Sequence, residues 1–272
     1  MSFEFGAATV IDDLARMRML GSAMRKTGRP VVLVPLGRGL HAGHIALIRA
    51  ARMLPRAVVV VAWQGDDIPA ALADEHVDVV WPVRDEDLWP SGAPTLSVRW
   101  EGGLEPAGVV EAEVTRGLAL MGVLRPSDVI VGEKDFEVAA ALRRAIADLH
   151  MGVEVHGVPT VRMPDGVAIS LRNADVDPSA RTDATVISAA LTAGAFAAEH
   201  GPAAVLKTAS EVLAAGGITP DYLELRGLGF GPAPEVGDAR LVVAATVGGV
   251  RLIDNVGVPL GIGFHNLGDD AT

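Results

Sequence analysis

The run Val31-Val-Leu-Val-Pro35 constrains this chain more than any other feature. An unbroken apolar segment of mostly β-branched residues reads as a strand covered on both faces, the kind found in parallel sheets. A turn bearing Gly37 and Gly39 follows, and His41 to Leu54 then shows helical spacing at His44, Leu47, Ile48 and Ala51 until Pro55 stops it. Ala57 to Ala62 is a second strand of the same kind, so strand, helix and strand make a βαβ unit with a parallel pair. The alternation continues through a strand at Val77 to Val83, a helix over Pro106 to Leu124, a strand at Asp128 to Gly132, an amphipathic helix over Phe136 to His150 and a strand at Val153 to Val158. This order predicts an α/β fold with a Rossmann-like, doubly wound parallel sheet.

After Asn173 the pattern changes. A long Ala-rich helix over Ser179 to His200 and a second over Ala203 to Ala215 precede strands at Tyr222 to Arg226, Leu241 to Val247 and Arg251 to Val256. Two domains are therefore expected, 1–174 and a smaller α+β domain over 175–272.

Half of the 272 residues are hydrophobic, enough to build two such cores. The formal charge of −11, from 23 Lys and Arg against 34 Asp and Glu, gives no electrostatic footprint for nucleic acid or anionic lipid. The longest strongly apolar stretch, Ala57 to Trp63, is too short to span a bilayer, and no export signal is read at the N-terminus. The absence of Cys removes disulfides, thiolate metal sites and Cys nucleophiles together and suits a cytoplasmic protein.

Chemistry concentrates in three segments, each following a predicted strand. Pro35-Leu-Gly-Arg-Gly-Leu-His41-Ala-Gly-His44 puts two imidazoles one turn apart at a helix N-terminus, where free N–H groups favour anions. Alone, that pair is open to other readings: an ordinary capping or buried pair, or two metal ligands lacking a third. Val131-Gly-Glu-Lys-Asp135-Phe places Lys134 and Asp135 just past a buried strand, at the edge where open α/β sheets bind ligands. Val158-Pro-Thr-Val-Arg162-Met-Pro-Asp165-Gly-Val-Ala-Ile-Ser170-Leu-Arg172-Asn173 is a Pro- and Gly-punctuated loop ending in a hydroxyl, a guanidinium and an amide. His76, His150, His156, His200 and His265 have no spacing that completes a metal site with the first pair, and Trp63 and Trp89 are expected at the core or its rim.

In this order and spacing, H-A-G-H, G-E-K-D and V-P-T-V-R-x-P-D-G-x-A-x-S-x-R-N resemble the pantothenate synthetase family, the pantoate to β-alanine ligases. Leu88-Trp-Pro-Ser-Gly92, Asp221-Tyr-Leu-Glu-Leu-Arg226 and Arg251-Leu-Ile-Asp-Asn255 extend the resemblance over most of the chain. The resemblance implies a domain of the nucleotidylyltransferase superfamily with a C-terminal lid, a homodimer, and a two-step reaction using ATP and Mg²⁺. In it a carboxylate is activated as an acyl-adenylate and then passed to an amine. By matching position, His41 and His44 would stabilise the triphosphate, Lys134 would hold phosphate, and Ser170 and Arg172 would close over pyrophosphate. Asp135 with Gly132 would hold ribose, and Pro35, Gly37, Val161 and Ile169 complete the nucleotide-binding set; no side chain is assigned to a metal.

The match is uneven. Leu36, Gly37 and Arg38 stand where the family has Thr, Met and Gly; the F-V-N-P-x-Q-F block after the second strand is absent; and Val138 takes the place of a second glutamine. Gln64 is out of register with the missing one, Glu105-Pro-Ala-Gly-Val109 replaces H-F-x-G-V, and Leu171 replaces a Ser. The nucleotide half is kept and the acid half rewritten, so a changed acid is expected. Two other classes fit part of the pattern: a non-catalytic nucleotide-binding paralogue, and a nucleotidylyltransferase for which Arg38 is the only encouragement.

Overall fold

The computed structural model describes residues 4–261, so His265 lies outside the described residues. By contact the chain divides into two units, Met1–Val161 and Arg162–Thr272. The segment 162–174, which the sequence places with the first domain, thus groups with the second. Arg162 is the reason: its guanidinium binds both carboxylate oxygens of Asp254 at 2.6 and 3.0 Å and the carbonyls of Gly166 and Asn255 at 3.0 and 3.1 Å.

In the first unit the elements are β1 (Thr9–Val10), α1 (Leu14–Lys26), β2 (Val31–Leu36), α2 (Ala42–Arg52), β3 (Val58–Trp63), α3 (Ala71–Asp74), β4 (Val79–Pro82), α4 (Asp85–Leu88), α5 (Val109–Leu124), β5 (Asp128–Gly132), α6 (Phe136–Asp148) and β6 (Glu154–Val158). All six strands are parallel, in the order β1-β4-β3-β2-β5-β6. β2 and β3 are buried almost throughout, as unbroken Val runs require. Their residues alternate between two cores. Leu33, Val58, Val60 and Trp81 pack with Met17 of α1, Val114 and Leu120 of α5 and Leu142 of α6. Val32, Val34, Val59, Val61 and Trp63 pack with Leu47, Ile48 and Ala51 of α2 and Leu72 of α3. Trp63 is a core residue, as expected.

Strand order reverses between β2 and β5, since β3 and β4 lie to one side and β5 and β6 to the other. At such a switch point the loops leaving the two central strands diverge and open a crevice at their carboxyl ends. The loop leaving β2 ends at His41 and leads into the first turn of α2, which carries His44, and the turn leaving β5 carries Lys134 and Asp135.

The second unit holds α7 (Ala184–Phe196), α8 (Pro202–Ala215), β7 (Pro220–Gly227), β8 (Gly237–Val247) and β9 (Val250–Leu260), the strands forming an antiparallel sheet in sequence order. Its core joins Ile187 and Leu191 of α7 and Val205, Ala209 and Leu213 of α8 to Leu241, Val243 and Ala245 of β8. The helix expected over Ser179 to His200 is interrupted: short 3₁₀ turns at Pro178–Ala180 and Ala198–His200 flank α7. Ala-rich sequence favours helix throughout but carries few end signals, so tertiary packing sets the ends.

Candidate active site

His41 is the N-cap of α2. Its extended backbone (φ −142°, ψ 171°) lets Nδ1 accept the Gly43 N–H at 3.1 Å, satisfying one of the helix's open donors. That bond leaves the proton of the neutral ring on Nε2. Gly43 is needed for closeness, because a Cβ there would lie 2.8 Å from His41 Cε1. The His44 ring stacks on that of His41, centroids 3.8 Å apart and planes 21° from parallel.

Both rings are held neutral. Burial pushes His44 down to about 4, with His41 adding to the effect and the Gly39 backbone and Asp135 opposing it. Burial also lowers His41, followed by Lys134, while Asp135 pulls the other way. At neutral pH the pair is therefore two polar donors that carry no net charge. His44 Nδ1 is buried with no hydrogen-bond partner among the described residues. A buried polar atom left open costs about 1–3 kcal/mol, a cost that a folded core ordinarily avoids and a binding site recovers from its ligand.

Lys134 and Asp135 sit in a 3₁₀ turn, Glu133–Asp135, between β5 and α6. The ammonium is mostly covered and lies 3.9 Å from the Asp135 carboxylate, which is itself exposed. The structure thus brings His41, His44, Lys134 and Asp135, with Pro35, Gly37 and Gly132 at the strand ends, to one edge of one sheet. Val161 ends the first unit. Ile169, Ser170 and Arg172 belong to the second, where Ser170 Oγ caps the 3₁₀ helix Leu171–Ala174 by accepting the Arg172 N–H at 3.2 Å, and the Arg172 side chain is exposed. Asn173, at the end of that loop, is structural: its amide donates to the Ala168 carbonyl at 2.9 Å.

Sequence reasoning missed a second polar group at the carboxyl edge. Arg116 of α5, only 8% exposed, donates to the Val83 carbonyl at 2.9 Å and pairs with Asp85. One turn earlier, burial pushes the Glu113 carboxyl up; Arg116 opposes this, and Asp135 and Asp85 reinforce it. Glu137, at the start of α6, is buried and accepts from Trp100 Nε1 at 3.0 Å and from the Leu104 and Glu105 amides at 3.0 and 3.1 Å, so it anchors the loop before α5. The only sequence signal for these residues is charge inside otherwise apolar helical faces.

A model of the pantoate-beta-alanine ligase family matches residues 9–64 and 63–257. A pantothenate synthetase of Corynebacterium jeikeium (strain K411) is 42% identical over 99% of this chain and 96% of its own. That of Mycobacterium avium (strain 104) is 42% identical over 86% of this chain and 84% of its own. Among solved structures, a pantothenate synthetase from Thermus thermophilus superposes with a TM-score of 0.76 at 31% identity, covering 91% of this chain and 98% of that one. A pantoate-beta-alanine ligase from Francisella tularensis, crystallised with beta-gamma ATP and beta-alanine, shares the fold with a TM-score of 0.71 at 22% identity, over 92% and 97% of the two chains. These relatives lend no support to the expectation of a changed acid.

Proposed function

Because the chain belongs to the pantoate-beta-alanine ligase family, we propose that it joins pantoate to β-alanine at the expense of ATP, with the β2–β5 crevice as the site of adenylate formation. The observation that carries this reading is the stacked, neutral imidazole pair at the N-terminus of α2, with its buried open nitrogen, at the same sheet edge as the turn that bears Lys134.

A carboxylate oxygen of the acid attacks the α-phosphorus of ATP; the bond from that phosphorus to the bridging oxygen breaks, and its electron pair leaves with pyrophosphate. Negative charge moves toward the β- and γ-phosphates. Catalysis then needs positioned donors more than a base. His41 and His44 donate N–H to the triphosphate from the end of a helix whose dipole favours anions, and Lys134 supplies full positive charge. Asp135 and the Gly132 backbone receive the ribose, while Pro35, Gly37 and Val161 line the nucleotide. In the second step the neutral amine nitrogen of β-alanine attacks the acyl carbon, the bond from that carbon to the phosphate oxygen breaks with its electron pair leaving on AMP, and the nitrogen releases a proton to solvent as the amide forms.

The neutral rings suit this sequence of events. An imidazolium would bind ATP and products tightly at every stage, whereas a neutral donor strengthens its bond mainly as charge develops. Mg²⁺ enters as the ion carried by the triphosphate. The Asp128, Glu154 and His156 group, the one cluster of three candidate donors among the described residues, lies toward the amino ends of β5 and β6, so these residues offer no such set beside the histidines. A homodimer and a cytoplasmic location complete the reading. The lack of Cys supports the second, and no described helix is long and apolar enough to cross a membrane.

The test is product analysis with ATP, Mg²⁺, pantoate and β-alanine. Equal amounts of AMP, pyrophosphate and the amide are expected; ADP formation, or AMP without amide, would contradict the assignment.

A further inference from the structure

Arg38 lies in the loop between β2 and α2, just before the His41 cap, and is exposed. The loop holds it close to the histidine pair. Gly39, with φ +73°, turns the chain through the left-handed region that glycine adopts freely, and its backbone lies near enough to the His44 ring to favour the charged form. On the other side Gly37 leaves room: a Cβ there would meet only the Gln64 amide, at 3.9 Å. The other cations at this edge of the sheet are already engaged. Lys134 is 3.9 Å from Asp135, Arg84 is 3.5 Å from Glu86, and Arg116 is buried, paired with Asp85 and, with the Gln64 amide oxygen turned toward it, bonded to Gln64 as well. Arg38 makes no hydrogen bond, ion pair or ring contact with any described residue. Acids crowd the same rim, with Asp66 and Asp67 after β3, Asp85, Glu86 and Asp87 after β4, and Asp135 after β5.

We propose that Arg38 binds the β- and γ-phosphates of ATP, and the pyrophosphate formed from them, as a cation this chain supplies at a position where the family has Gly. The proposal rests on the ligase reading above and deepens it by naming the residue that balances the triphosphate's charge. That charge is otherwise poorly met. The two imidazoles are neutral, Lys134 is partly neutralised by Asp135, and the rim has the sign of the nucleotide, so even a triphosphate carrying Mg²⁺ needs a further cation. An unpaired guanidinium is drawn to where most of the charge lies, and its planar fork matches two phosphate oxygens. The β- and γ-phosphates carry more charge than the α-phosphate and gain still more as the bond to pyrophosphate breaks. Arg38 has no described contact to give up when the nucleotide arrives, so the whole interaction goes into binding.

The deciding variant is Arg38→Met in the full chain, with ATP, pyrophosphate and AMP as calorimetric probes in the presence of Mg²⁺. An exposed side chain without partners can be removed with the melting temperature unchanged. The expected result is affinity for ATP and for pyrophosphate weakened about tenfold, the usual effect of losing a hydrogen bond between charged groups, while AMP, which lacks both distal phosphates, binds as to wild type. In turnover kcat/KM for ATP should fall by a similar factor and the KM for pantoate should stay unchanged. Arg38→Lys should recover most of the loss, because it keeps the charge and gives up only the fork. Added salt should weaken ATP binding less in Arg38→Met than in wild type, since the contact removed is an exposed, screened one. Wild-type affinity for ATP and pyrophosphate in Arg38→Met would overturn the proposal, as would an equal loss for AMP. Neither result touches the ligase reading, which fails separately if the wild-type enzyme binds ATP yet forms no pyrophosphate with pantoate.

Discussion

The two ends of the parallel sheet handle polar groups in opposite ways. At the amino ends the polar side chains are spent on the fold. Asp78, before β4, accepts the Gly6 and Val59 amides at 2.7 Å each; Ser127, before β5, accepts from the Val31 N–H at 3.0 Å; His156 pairs with Asp128 at 2.7 Å. At the carboxyl ends the part-buried His44 carries a buried open nitrogen, and two histidines crowd each other. Both histidine settings lie on the same sheet, so the fold is able to satisfy an imidazole; it does so at the end away from the crevice. Groups left unsatisfied are strain that a ligand relieves, and their clustering marks the site more reliably than residue type does.

The largest break in this contrast should come from the carboxyl end. His44→Ala and Lys134→Ala are each expected to lower pyrophosphate release by at least about 100-fold, the usual loss when one preorganised donor to developing charge is removed. Circular dichroism and the melting temperature should stay near wild type. Saturating ATP should not rescue His44→Ala, because the lost contact is made in the transition state; a fall in kcat with little change in KM reads this. A smaller loss, about tenfold, is expected of Gly43→Ala, whose Cβ would press on the His41 ring and cost the cap about 1 kcal/mol.

Acidification sharpens the comparison further. His44 titrates at about 4 in the folded protein against an ordinary 6.5, so the unfolded chain takes up the proton first. Stability contributed by the neutral ring is complete above about pH 6.5 and is lost as pH falls toward 4; the lowered His41 acts with the same sign. Melting curves from about pH 7 down to about pH 4.5 should show a falling midpoint, and His44→Asn should flatten that fall. The smallest effect belongs to the amino end: His156→Ala should cost about 1 kcal/mol of stability, as removal of one part-buried pair does, and leave pyrophosphate release unchanged.

How far the sequence displayed this organisation depended on how local the signal was. β5 was legible to the residue because an apolar run between Asp128 and Gly132 has one reading, while His41 and His44 stood out as two imidazoles one turn apart after a Gly turn, a pattern that alone left a capping or buried pair and an incomplete metal site open. α1 went unread, its apolar residues being interspersed with Arg16, Arg18, Arg25 and Lys26, so that its buried stripe of Met17 and Leu20 is defined only against the sheet. Arg162 stood among the site segments but is held within the second unit by Asp254, a partner distant in sequence. Gln64, Asp85 and Arg116 come from three separate segments that only the sheet's strand order assembles, so no spacing along the chain foretold their contact.

The most direct test of the central claim, that the crevice forms an acyl-adenylate before any amine takes part, is exchange of labelled pyrophosphate into ATP in the absence of β-alanine. Exchange that requires pantoate and disappears in His44→Ala is the expected result; exchange that needs the amine, or that persists without the acid, would contradict it.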